Sequence, residues 1–224
     1  GLNKSNVHSI LSTFTAMEYL RQDKETGKYK LGLAVYTLCH ALGDELIIGN
    51  IAQPYMQELS DWSGEQVYLG VPYGDEVIYV NSAYPMESIN LMRTIMGERA
   101  RMYCTGLGKA FLTFLPEQER EELVSRLEFT PYTKNTITSK EDLYKQLEVF
   151  REQGYSIDNE EIEVGLWCAA APVFGSSGRV EAAVSVAGPT VRMLENKEKI
   201  VKTLLRVTRE LSEKMGYTGR IYGK

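Results

Sequence analysis

The sequence predicts an α+β chain built on a mainly antiparallel sheet, and three observations carry that prediction. Residues 154–193, GYSIDNEEIEVGLWCAAAPVFGSSGRVEAAVSVAGPTVRM, read as three strands, with a tight turn at Gly175-Ser176-Ser177-Gly178 between the last two. A second hairpin is written into Gln66 to Val80, where VYLGVPY and EVIYV flank a Gly74-Asp75 turn. Amphipathic helical stretches lie between and after these strands, as a sheet with a buried face requires.

In the 154–193 run, about Gly165 to Phe174 is apolar with little alternation, as for a strand covered on both faces. Arg179 to Ala187 alternates cleanly. Val180, Ala182, Val184 and Val186 share one face, and Glu181, Ala183, Ser185 and Ala187 share the other. A four-residue loop pairs Phe174 with Arg179, which places Cys168 opposite Ser185 on one face with roughly 5 Å between Cα atoms. Asp158 ends the strand before and approaches that face. A thiol, a hydroxyl and a carboxylate among alanines and glycines leave room for a ligand. A sheet whose small residues merely admit a packed helix produces the same pattern.

Composition narrows the function classes. Cys39, Cys104 and Cys168 are odd in number and lack CxxC spacing, which argues for reduced thiols in a cytoplasmic compartment rather than a disulfide framework or a zinc site. No 18-residue apolar run is present, so no membrane span is expected, and the start does not read as a signal peptide. Both histidines, His8 and His40, fall in the first 40 residues. A Ser-His, Cys-His or multi-histidine metal site in the main body is thereby excluded. Neither a metal nor a cofactor is expected.

From the start of the chain, about Lys4 to Glu18 reads as a helix with Val7, Ile10, Leu11 and Phe14 on one apolar face. Asn6, His8 and Ser9 near its N-terminus suit base edges or phosphates, and Lys4 suits a phosphate. An ordinary solvated face reads the same way. Next, YLRQDKETGKYKLG forms two short strands around a polar turn at Asp23 to Gly27, and helix followed by hairpin is the shape of a winged helix. Residues 1–30 carry Lys4, Arg21, Lys24, Lys28 and Lys30 against Glu18, Asp23 and Glu25. That local excess of +2 opposes the overall −5 and suits a phosphate-facing segment.

Residues 33–62 read as helical, with two helices meeting near Gly49 and Asn50 and the first part serving as a connector. Pro72 in the following hairpin favours an edge position or a bulge. Residues 83–104 are rich in methionine, and Met92 and Met96 fit a pliable pocket wall as well as plain core filler. In CTGLGKAFLTFLP, Thr105 is an N-cap for a helix over about Gly106 to Phe114. The N–H groups of Gly106, Leu107 and Gly108 then sit at the positive end of its dipole, where a ligand carboxylate fits. Close packing through the glycines is the alternative. Helices are further predicted over 117–126, 139–153 and about 190–215, the last with Ile200, Leu204, Val207 and Leu211 on its sheet-facing side.

KSNVHSIL, YLRQDKETGKYKLG, TGLGKAFLTFLP, REQGYSIDNEEIEVGLWCAAAPVF and AAVSVAGPTVRM together resemble the IclR family of bacterial transcription regulators, in order and at the family's spacing along essentially the whole chain. The resemblance implies a winged helix-turn-helix remnant over 1–32, a linker helix over 33–48, and a GAF/PAS-like α/β/α effector-binding domain over 49–224. It implies that the chain begins inside the helix-turn-helix. Lys4, Ser5, Asn6, His8 and Ser9 then belong to the recognition helix, and Arg21, Lys28 and Tyr29 to the wing. Thr105, Gly106, Leu107, Asp158, Cys168 and Ser185 fall on the family's effector site. The implied partners are operator DNA, a small organic acid or aromatic effector, and further copies of the chain as a dimer or tetramer. Asn6 and Ser9 stand where the family more often has Thr and Arg, and Ala187 stands where many members carry a second hydroxyl. Two other functions compete: an enzyme using Asp158 and Cys168, and an oligomerisation module that binds no small molecule.

Overall fold

The computed structural model describes residues 3–38, 47–86 and 95–219. They divide into two compact units, Gly1–Ile47 and Ile48–Lys224.

The first unit opens with α1 (Lys4–Ala16), capped by Asn3, whose side chain accepts a hydrogen bond from the Asn6 N–H at 2.9 Å. The predicted apolar face is there, yet Val7, Ile10 and Phe14 are between 40 and 45% exposed. A hairpin follows, β1 (Leu20–Gln22) with β2 (Tyr29–Leu31), in which Arg21 pairs with Lys30. Its turn is tied by the Asp23 carboxylate, which accepts from the N–H groups of Glu25 and Thr26 at 3.0 and 2.8 Å. The chain leaves the hairpin through Gly32, where any Cβ would lie 2.0 Å from the Glu18 carbonyl oxygen. Residues 34–38 are helical.

The second unit opens with α2 (Ile47–Ser63), whose first residue is the last of the first unit. It runs unbroken through Gly49, Asn50 and Pro54, so the helix expected to start near Gly49 and Asn50 begins by Ile47, and the residues just before it lie outside the described ones. Three strands follow: β3 (Gln66–Tyr73), β4 (Glu76–Ala83) and β5 (Arg99–Arg101). Helices α3 (Gly106–Phe114), α4 (Glu117–Arg126) and α5 (Lys140–Gln153) lead to β6 (Ser156–Asn159), β7 (Leu166–Phe174) and β8 (Val180–Pro189). The single helix predicted at the end is two, α6 (Thr190–Glu195) and α7 (Lys197–Lys214), because Asn196 adopts a non-helical backbone between them.

All six strands pair antiparallel in the order β5-β4-β3-β8-β7-β6. Pro72 pairs with β4 but lies past the last residue of β3 that pairs with β8, so its missing N–H faces no strand. On one face of the sheet, Ala169, Ala171, Val173, Ala182, Val184 and Val186 pack against α2 and α7. On the other, Cys168, Ala170, Ala183 and Ala187 pack with Leu107, Ala110 and Phe111 of α3 and Leu143 and Leu147 of α5. This double coverage explains why β7 shows no alternation.

The register between β7 and β8 differs from the predicted one. The Gly175 N–H donates to the Arg179 carbonyl at 2.9 Å, which shortens the loop by one residue, and an irregularity at Val173/Phe174 leaves Glu181 as an extra residue in β8. Cys168 therefore faces Ala187, and Ser185 faces Ala170. Val180 does not share a face with Ala182, Val184 and Val186. The bulge turns it toward the α3 side.

Candidate functional site

The α3 side of the sheet opens into a cavity of about 880 Å³. Its inner wall comes from the N-terminus of α3 and from three strands. Thr105 caps α3: its hydroxyl accepts from the Gly108 N–H at 3.2 Å and donates to the Arg101 carbonyl at 2.7 Å. Gly106 and Leu107 line the cavity, and their N–H groups belong to the first helical turn, which has no intrahelical acceptor. Asp158 arrives on β6 directly opposite Cys168 on β7, and Ser185 comes from β8. The six residues named from the sequence, Thr105, Gly106, Leu107, Asp158, Cys168 and Ser185, all border this one space.

The glycines serve packing as well as access. A Cβ on Gly106 would meet the Cys168 Sγ at 2.4 Å, and one on Gly108 would meet the Met102 backbone at 2.3 Å. Helix α3 thus lies against the sheet as closely as its sequence allows, with its N-terminus at the cavity floor.

Asp158 is 4% exposed. Burial lifts its carboxyl to about 7, against the opposing pull of the Lys109 ammonium and of hydrogen bonds from backbone N–H groups. The clearest of those bonds is from the Glu161 N–H to Oδ1 at 2.8 Å. Burial, with Asp158 adding to it, pushes the Cys168 thiol up to about 12, so it stays protonated at neutral pH and is not a nucleophile. Tyr68 and Tyr79 meet edge to face at 5.5 Å on one side of the space, their hydroxyls also raised by burial. At the rim, Glu76 is shared by Arg101 at 3.3 Å and Arg99 at 3.6 Å.

Met96 is a surface residue, 39% exposed, and is not part of the cavity lining, while Met92 lies outside the described residues. The residues expected to meet DNA fall in the first unit. Lys4, Ser5, Asn6, His8 and Ser9 are exposed on the first turns of α1, Arg21 and Lys28 are exposed on the hairpin, and Tyr29 is half-buried on β2. Sequence reasoning missed the arginine rim and a buried ion pair between Lys109 and Glu161. The signal for Lys109 was a lone charge inside the apolar run of α3. For β5, three residues with an arginine at each end, there was none. Among the described residues no group of three His, Cys, Asp or Glu side chains is arranged to hold a metal ion, and no helix is long and apolar enough to cross a membrane.

The family model described as the C-terminal part of the bacterial transcriptional regulator IclR matches residues 40–213. The chain belongs to the IclR family. The HTH-type transcriptional regulator KdgR of Dickeya chrysanthemi is 36% identical over 217 residues, spanning 96% of this chain and 71% of the relative. KdgR of Escherichia coli K12 is 34% identical over 217 residues, spanning 96% and 82%. The solved IclR of Thermotoga maritima superposes with a TM-score of 0.79 at 30% identity, covering 96% of this chain and 87% of that one. As an IclR-family member the chain is a transcriptional regulator of the kind that binds DNA and small-molecule effectors, and an enzymatic role for Asp158 and Cys168 finds no support among these relatives.

Proposed function

We propose that the cavity on the α3 side of the sheet is the effector site and that the effector bears a carboxylate. Its charge would rest on the N–H groups of Gly106 and Leu107, at the positive end of α3. Asp158 would accept from effector hydroxyls, Ser185 would donate or accept one hydrogen bond, and Cys168 would be a small lining group. The observation that carries this reading is the convergence of these groups on a space of about 880 Å³, within the range of small-molecule sites. An open, partly polar cavity also favours a ligand over a role in assembly alone.

Operator contacts would come from Lys4, Ser5, Asn6, His8 and Ser9 on α1 and from Arg21, Lys28 and Tyr29 on the hairpin, in a cytoplasmic homodimer or homotetramer. Residues 33–48 would pass effector occupancy to the DNA-binding unit, which requires the effector to bind two arrangements with different affinities.

Thermal denaturation against a panel of organic, sugar and aromatic acids tests the reading. A specific ligand at roughly 100 times its Kd adds about 2.7 kcal/mol, or about 5–10 °C for a chain of this size. Asp158→Ala abolishes the shift if the site is right. A ligand whose shift survives that change binds elsewhere.

A further inference from the structure

Behind the cavity wall lies a charged pair that the effector contacts do not use. Lys109 projects from an otherwise apolar face of α3 and is fully buried. Its ammonium pairs with the Glu161 carboxylate, donates to the Gln146 Oε1 at 3.1 Å, and stands 5.5 Å from the centre of the Phe150 ring. Glu161 is itself 2% exposed. Its N–H is the group that holds the Asp158 Oδ1 at 2.8 Å. Its carbonyl accepts from the Thr136 hydroxyl at 2.6 Å, and the Glu160 carbonyl accepts from Thr133 at 2.6 Å. The turn after β6 is therefore gripped by a side-chain ion pair and by two threonine hydroxyls, and through the Glu161 N–H it holds Asp158, on β6, at the cavity wall.

From this geometry we infer that Lys109 and Glu161 are positioning residues of the site: together they aim the Asp158 carboxylate into the cavity and set its charge there. The inference rests on reading the cavity as the effector site. A buried ion pair is poor evidence for stability, because an apolar pair of similar volume commonly does as well or better. This one is also incompletely satisfied, since the Glu161 Oε2 is buried with no hydrogen-bond partner. The arrangement makes sense for the field it casts on Asp158. The groups facing that carboxylate are Lys109 from α3, Glu161 from the turn, Cys168 from β7, Cys104 from the segment before α3, and Tyr79 from β4. Burial holds both thiols and the phenol neutral. The charges that remain are those of the pair, with Lys109 favouring the carboxylate more strongly than Glu161 opposes it.

The test reads Asp158 directly in the ligand-free protein, by ¹³C NMR of labelled aspartate carboxyls, with the resonance assigned by its loss in Asp158→Asn. Lys109→Met with Glu161→Gln removes both charges, keeps the shape, and leaves no lone buried charge. It raises the Asp158 midpoint by roughly half to one pH unit. Glu161→Gln alone removes only the opposing anion and moves the midpoint down. Shifts of opposite sign are a signature that a purely structural pair does not give. Should that double variant fail to fold, Lys109→Gln with Glu161→Gln, which also removes both charges but keeps a hydrogen-bonding side chain at each position, carries the test with the same upward shift. A midpoint that stays put in the folded variants overturns the inference. Because no ligand is present, that result is separate from a failure of the effector reading, which shows as an acid panel without a thermal shift.

Discussion

Replacing Asp158 by Asn keeps the acceptor for the Glu161 N–H and removes the ionisable group. The expected consequence is a pH-dependent change in stability whose sign follows from the environment. Burial raises the carboxyl to about 7, well above its ordinary value. Between about pH 4 and pH 7 the folded chain holds a proton that the unfolded chain has released, so stability falls as pH rises, and the cost of the buried charge is fully present above pH 7. At 1.36 kcal/mol per pH unit, a midpoint near 7 makes the wild type lose roughly 2–3 kcal/mol relative to Asp158→Asn between pH 5 and pH 8. In urea, with a slope of roughly 2–3 kcal/mol per molar, that is a relative midpoint difference of about 1 M. Trp62 and Trp167, the two tryptophans of the chain, both lie in the second unit, so tryptophan fluorescence reports the unit that contains Asp158. A difference between variant and wild type that stays constant from pH 5 to pH 8 would refute the reasoning, since it would mean that Asp158 is ionised throughout at no cost.

Gly106→Ala drives a Cβ toward the Cys168 Sγ, 2.4 Å away, and is expected to cost about 1–3 kcal/mol by overpacking. In a Cys168→Ala background that penalty should shrink to less than half; equal penalties in the two backgrounds would show that the contact is not the constraint. Arg21→Ala and Lys28→Ala should each weaken binding to random-sequence duplex DNA at low salt and reduce the slope of log K against log salt by about 0.9, the value of one phosphate contact. An unaltered slope removes that side chain from the phosphate-facing set.

Local chemistry was readable where one residue type settles a boundary. Thr105 and the run to Phe114 defined α3 as it stands, since a threonine hydroxyl takes the Gly108 N–H and Leu115 leaves the helix with an extended backbone just before Pro116. The helix predicted over 139–153 is α5, with Ser139 as its N-cap and Gly154 closing it at φ +83°, a boundary of the same kind. Asn196 was not readable as a break, because the apolar spacing of Met193 and Ile200 on either side continues through it. The Lys109–Glu161 pair was out of reach for another reason. Its members are 52 residues apart and meet only once α3 has docked on the sheet beside the turn after β6.

The convergence at the cavity survived a wrong register, and the sheet's geometry explains how. A slip of one residue sends every side chain of a strand to the opposite face. Two such slips occur here, one in the loop closed between Gly175 and Arg179 and one at the bulge that leaves out Glu181. Their sum is even, so beyond the bulge every residue of β8 returns to the face that simple alternation assigned it, displaced by two positions along β7. Ser185 stays on the cavity side with Cys168 and Asp158, but as a diagonal neighbour of Cys168 rather than its partner, and Ala187 takes the position opposite the thiol. Val180 lies between the two slips and changes sides. Alternation therefore fixes which groups share the cavity, while the turn and the bulge fix how far apart they stand. If the cavity takes an effector as proposed, that spacing decides whether one molecule reaches both Asp158 and Ser185.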